Sequence, residues 1–197
     1  MRKHLRRYVQ LVADTIEIKE PIFEFGSLQV QEDSELEDLR PLFRGKTYVG
    51  CDMRPGPGVD RVLNLHQLDL PNGTIGTAIC MDTMEHVEYP RQAISELYRI
   101  LKPGGALILS SVMNFPIHGY PNDYWRFTPE GFRSLLKIFD YSAVGFSGPE
   151  NFPDSIVAVA FKGEKPNLQQ YETAYLAWKT RCNRIAASIR NDNLQID

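Results

Sequence analysis

The sequence predicts an α/β fold built on a mostly parallel sheet that ends in an antiparallel strand pair. Three observations predict it. Short apolar runs recur along the chain and are separated by helical or turn-rich segments, the pattern of strands buried on both faces. The clearest helix, in YPRQAISELYRILKPGG, lies between two of these runs. Near the end, YSAVGFS and SIVAVAFKG follow one another through a short connector, which suits an antiparallel pair rather than a crossover.

Each element follows from local pattern. Residues 3 to 17 place Leu5, Tyr8, Val9, Val12 and Ile16 on one helical face. Residues 1–20 are thus read as an N-terminal helix ahead of a core over 21–163. Strand one is 21–26, in PIFEFG. A helix is expected from Glu35 to Phe43, with Ser34 as its N-cap. KTYVGCD reads as a buried strand ending on Asp52, and two prolines and two glycines keep MRPGPGVD from being helical. RVLNL is a short strand, LDLPNGTIG a connector and TAICMD the next buried strand.

The helix after it has Pro90 in its first turn and Ala93, Ile94, Leu97, Ile100 and Leu101 at helical spacing. Lys102-Pro103-Gly104-Gly105 stops it, and ALILSSVM is a long apolar strand. TPEGFRSLLKIF is a helix capped by Thr128, with Pro129 at its first position. Residues 164–197 carry the last helix, where Tyr171, Tyr175, Trp178, Cys182, Ile185 and Ile189 form one stripe. The whole chain, 1–197, is read as one domain. That stripe either covers the parent domain or forms a homodimer through the C-terminal helix.

Bulk properties narrow the function. A net charge of −3 gives no global field for nucleic acid, and Arg2, Lys3, Arg6 and Arg7 read as one solvated helical patch. No run approaches the length of a membrane span, and the basic start lacks the apolar stretch of a secretory signal. Cys51, Cys80 and Cys182 are too scattered for a disulfide framework or metal knuckle, so a reducing cytoplasm is expected.

A parallel sheet of this type binds its ligand outside the carboxyl ends of its strands. Strand one ends with Glu24 and Gly26, where a missing side chain lets backbone approach a ligand. Strand two ends with Asp52, an acceptor suited to the hydroxyls of a ribose, and together these suit a nucleoside-type cofactor. The next buried strand ends in CMDTMEHVEYP, where Asp82, Glu85 and Glu88 surround His86 and are expected to raise its pKa. Glu85 and Glu88 otherwise serve only the helix dipole. The connector NFPIHGYPNDYWRFTPEGF gathers His118, Tyr120, Asp123, Tyr124, Trp125, Arg126 and Phe127. It is either a substrate lid or a satellite core with Arg126 paired to Asp123.

DTMEHVEYPRQAISELYRILKPGGALILS resembles the second half of a class I S-adenosylmethionine-dependent methyltransferase domain of the type-11 group. PNDYWRFTPEGF resembles a segment that follows strand five in bacterial members. The resemblance covers residues 21 to 163. It implies a doubly wound, Rossmann-like sheet with a reversed last hairpin, and S-adenosylmethionine bound across the first four strand ends. Carried over by position, it implies Glu24, Gly26 and Ser27 at the methionine end, Asp52 on the ribose and Met53 over the adenine. It further implies Leu65 and His66 along the adenine edge and Asp82 beside the cofactor's amino group.

The expected reaction is O-methylation of a small molecule, a sugar, a lipid-linked or a secondary-metabolite hydroxyl. His86 is the first choice of base and His118 the second. Tyr124, Trp125 and Arg126 are expected at the substrate. No metal is assigned, although Asp82-x-x-Glu85-His86 is similar to a metal-holding Glu-x-x-Glu-His arrangement in the ubiquinone-pathway O-methyltransferases. Two departures stand out: a first motif with one glycine, and RPGPGVD in place of the helix between strands two and three. The first keeps open a non-catalytic binding or assembly subunit. A nicotinamide oxidoreductase is disfavoured because Gly-x-Gly-x-x-Gly is absent.

Overall fold

In a computed structural model, the structure describes residues 2–30, 38–119, 121–163 and 165–193, the last eight of these by backbone alone. A sheet of seven strands runs through the described chain. The strands are β1 (Ile22–Phe25), β2 (Tyr48–Asp52), β3 (Arg61–Val62), β4 (Ile75–Cys80), β5 (Leu101–Val112), β6 (Tyr141–Ser147) and β7 (Ser155–Phe161). Their spatial order is β3-β2-β1-β4-β5-β7-β6. The first five are parallel, while β7 runs antiparallel between β5 and β6. The chain therefore turns outward one way from β1 and the other way from β4, and the crevice lies between those two strand ends.

The sheet's two faces bury separate cores. On one, Phe23, Cys80, Leu107 and Ile156 meet α2 (Pro90–Ile100) and α3 (Pro129–Leu135). Helix α2 turns Ala93, Ile94, Leu97 and Ile100 inward, as its spacing predicts. Leu101, assigned to that helix by periodicity, instead opens β5, and the strand absorbs Lys102 to Gly105 through a register shift against β4. Thr128 caps α3 by accepting a hydrogen bond from the Gly131 amide. On the other face, Ile22, Ile79, Ile108 and Val159 lie under α1 (Lys3–Thr15) and α4 (Gln169–Asn193).

The two terminal helices pack on one another and cover this face, α1 against β5 and α4 against β6. Tyr8 and Tyr171 share a buried hydroxyl–hydroxyl bond of 2.8 Å, and the Trp178 indole donates to the His4 carbonyl at 2.8 Å. Of the stripe on α4, Tyr171 and Trp178 are buried against their own chain and Tyr175 and Cys182 partly so, while Ile185 and the neighbouring Leu176 stay exposed. The helix expected over 35–43 appears in the described part as a 3₁₀ turn, Arg40–Phe43; Ser34 and residues 35–37 lie outside the described residues. The strand expected in RVLNL is cut to Arg61 and Val62, because Asn64 turns back to bridge Gln67. No helix of the described chain is long and apolar enough to cross a membrane.

Trp178→Ala removes a buried ring and the bond that ties α4 to the start of α1. A loss of about 3–5 kcal/mol in chemical denaturation is expected. A loss below about 1 kcal/mol would show that α4 is not part of the core.

Candidate active site

The strand ends enclose a cavity of about 670 Å³. That volume is within the range, about 300–1,000 Å³, of small-molecule sites. Glu24, Gly26, Ser27, Asp52, Met53, Leu65, His66, Asp82, His86, His118 and Tyr124 all line it.

Gly26 ends β1 with φ +86°, a left-handed conformation that glycine adopts at least cost. A Cβ there would stand 2.1 Å from the Thr83 hydroxyl, so no other side chain fits. The amides of Gly26 and Ser27 both donate to the Cys51 carbonyl, at 2.8 and 3.0 Å. The Gln29 amide donates to the Pro57 carbonyl, so the loop, described as far as Val30, leans on the RPGPG turn at the cavity wall. One residue earlier, Glu24 is buried and accepts from the Tyr48 hydroxyl at 2.7 Å. Burial pushes its carboxyl up to about 7. Asp52 accepts from the Arg54 amide at 3.0 Å, which fixes its carboxylate at the cavity wall. His66 accepts at Nε2 from the Tyr89 amide, at 3.1 Å.

Asp82 follows β4 with φ +45° and exchanges hydrogen bonds with Ser110. Its carboxylate also receives Arg2, with contacts of 3.0 and 3.2 Å. Arg2 therefore does not belong to a solvated patch. The first turn of α1, held down by α4, carries it 80 residues across the chain into the site. Nothing in the local sequence signals that contact.

The 3₁₀ turn Met84–His86 sets the next three groups. Glu85 is fully buried, and Ser111 donates to its Oε2 at 2.7 Å, while Oε1 has no partner among the described residues. Burial, and then the nearby Asp82 charge, raise its pKa. It is not a surface residue complementing a helix dipole. His86 was expected to have a raised pKa; it is lowered, because loss of solvent outweighs the carboxylates around it. Its Nδ1 lies 2.6 Å from the Asn122 carbonyl, a partner that places the proton on Nδ1. Glu88 stays exposed at the cavity edge.

The long connector after β5 closes this side. The Glu85 carbonyl accepts from the amides of Tyr124 and Trp125, and the Val87 carbonyl accepts from the Trp125 indole at 3.0 Å. Arg126 holds Asp123 with two nitrogens, at 2.5 and 2.7 Å, and drives its carboxyl well below the usual range. Asp123 in turn accepts from the His118 amide and lies 3.1 Å from His118 Nδ1. Trp125 and Arg126, expected at the substrate, do not line the cavity; they hold the loop that does. Tyr120 lies outside the described residues. The His86 and His118 rings meet edge to face, 4.8 Å apart. Sequence reasoning also missed Thr83, Phe115 and Asn122, which line the wall by position in the turn rather than by any motif.

Residues 36–109 match the methyltransferase domain family, and the strand order above is that of the corresponding fold. Over those residues the chain is similar to methyltransferase domains, and over most of its length its fold is that of solved S-adenosylmethionine-dependent methyltransferases. Among solved structures, a methyltransferase of this kind from Archaeoglobus fulgidus is 13% identical, with a TM-score of 0.63 and coverage of 82% of this chain and 95% of that one. Another, from Thermotoga maritima, is 22% identical, with a TM-score of 0.54 and coverage of 81% and 91%. A Haloferax volcanii complex between the Trm112 methyltransferase activator and a methyltransferase gives 13%, 0.57, 84% and 92%. No curated protein sequence matches the chain.

Glu24 links folding to pH. Its folded pKa of about 7 exceeds the ordinary 4.5, so folding favours the protonated form. Stability from this group is full at low pH and is lost as pH rises through about 7. The shift of 4.5 to about 7 corresponds to on the order of 3 kcal/mol. Glu24→Gln should flatten the fall in apo-protein stability between about pH 5 and pH 8. An unchanged slope in denaturant titrations would remove the assignment.

Proposed function

We propose that this protein is a methyltransferase that binds S-adenosylmethionine and moves its methyl group to a hydroxyl of a small acceptor, a sugar, a lipid-linked or a secondary-metabolite alcohol. The observation that carries the reading is His86, a neutral imidazole at the cavity wall whose Nδ1 is tied to Asn122. That tie leaves Nε2 free to accept a proton. An acceptor hydroxyl would lose its proton to Nε2 as its oxygen attacks the methyl carbon. The sulfonium would leave as the neutral thioether. His118, oriented by Asp123, is the second candidate.

For the cofactor, Glu24, Gly26 and Ser27 would line the methionine end. A buried acid with pKa near 7 suits a cationic neighbour, which would hold it ionised. Asp52 would accept the ribose hydroxyls, with Met53, Leu65 and His66 around the adenine. Asp82 would meet the amino group while sharing Arg2. On the acceptor side, Tyr124 and Phe115 supply aromatic wall. A homodimer through α4 would draw on Leu176 and Ile185, the large apolar side chains that are exposed among the described residues there.

The competing reading is a non-catalytic binding or assembly subunit, which draws on the single glycine. The open cavity and the intact acidic strand ends favour catalysis. Calorimetry with S-adenosylhomocysteine and transfer of a labelled methyl group to hydroxylated acceptors test this. Asp52→Ala should weaken binding by about 1.5–3 kcal/mol. His86→Ala should keep binding but lose roughly 10²–10⁴-fold in turnover. Full turnover in His86→Ala would end its role, and no binding at millimolar cofactor would end the reading.

A further inference from the structure

We propose that Glu85, His86 and His118 form a binding site for one divalent first-row cation of the zinc or cobalt type. Each residue brings one ligand atom, and the three atoms lie within 4.8 Å of one another. One carboxylate and two imidazoles is a donor set suited to such ions rather than to magnesium or calcium, which prefer oxygen.

Three further features mark a built site. The Glu85 side chain is fully buried, yet Oε1 has no partner among the described residues. A buried polar atom left bare costs stability unless something fills the place. Second, the outer contacts of all three ligands are already made. Ser111 donates to Glu85 Oε2 at 2.7 Å. His86 Nδ1 faces the Asn122 carbonyl at 2.6 Å. His118 Nδ1 lies 3.1 Å from both the Pro116 carbonyl and an Asp123 carboxylate oxygen. Metal-binding histidines characteristically donate their second N–H in this way, which fixes the ring and leaves the other nitrogen for the ion. Third, Arg126 pins Asp123, so the outer contact of His118 is itself held rigid.

The ligand set is not the one that local sequence suggests. Asp82 precedes Glu85 by one helical turn's spacing, but Arg2 and Ser110 occupy its carboxylate. His118 takes its place from the far connector, 33 positions after Glu85. A site made this way has three protein ligands and leaves positions open toward the cavity, the arrangement of a catalytic rather than a structural cation. A cation bound there would hold an acceptor hydroxyl and lower its pKa. The inference deepens the reading above in one respect: activation would come from the ion, with His86 a ligand instead of a free base.

The test needs no substrate. The full-length protein, stripped with a chelator, is titrated with Co²⁺ and followed by calorimetry and by visible ligand-field absorption. One equivalent should bind, with bands of nitrogen and oxygen coordination. His118→Ala should weaken binding by at least about tenfold, and Glu85→Gln likewise. Glu88→Gln, which removes an exposed carboxylate at the cavity edge and leaves the three ligands intact, should bind as the parent does. Since Glu85 is buried, its variant is read only if its circular dichroism matches the parent; the half-buried His118 carries the test alone otherwise. No binding at millimolar Co²⁺, or equal binding in His118→Ala and parent, overturns the site. S-adenosylhomocysteine binding in the same samples reports on the methyltransferase reading separately, because none of the three ligands is assigned to the cofactor.

Discussion

The site depends on one close approach, that of Gly26 at the end of β1 to Thr83 just beyond β4. The two strands are neighbours, and their chains must part there to open a crevice. Gly26 turns with positive φ and offers no Cβ, so the Thr83 hydroxyl can reach the Phe25 carbonyl at 3.2 Å. That contact sets the floor of the cavity. It also fixes where the turn through Met84, Glu85 and His86 begins. A side chain at Gly26 would force the two loops apart and move every polar group on the acceptor side.

Around that floor, charge is arranged by burial as much as by pairing. Glu24 and Glu85 are buried carboxyls whose pKa values are raised, and both line one cavity. Asp82 lines it too and is matched by Arg2. The site therefore holds carboxyl groups in two conditions, two favouring the neutral acid and one paired with a fixed cation. A cationic ligand beside Glu24 would favour its ionised form, while without such a ligand the site carries no large standing negative charge.

The terminal helices do more than cover a face. Helix α4 pins α1 through Tyr171 and Trp178, and α1 delivers Arg2 to Asp82. Core stability and site electrostatics are thus coupled through one helix pair. The connector after β5 has a comparable double use. Trp125 and Arg126 spend their polar groups on backbone and on Asp123, and that expense of side chains keeps His118 in place against His86.

The sequence by itself determined the strands apart from the shortened RVLNL, the helices apart from the one expected over 35–43, and the strand-end positions of Glu24, Gly26, Asp52 and Asp82. Apolar runs and helical spacing are local signals, and a parallel sheet always presents its carboxyl ends to the ligand. The stripe from Tyr171 to Cys182 was legible too, though not whether it would meet its own chain. Only the tertiary structure decided that Arg2 meets Asp82, that Glu85 is buried, and that His118 reaches His86. The contacts behind these join residues 26 to 80 positions apart. The pKa of His86 turned the other way for the same reason. Neighbouring acids can be counted along a sequence, whereas the loss of solvent that outweighs them exists only once the connector has folded over the turn.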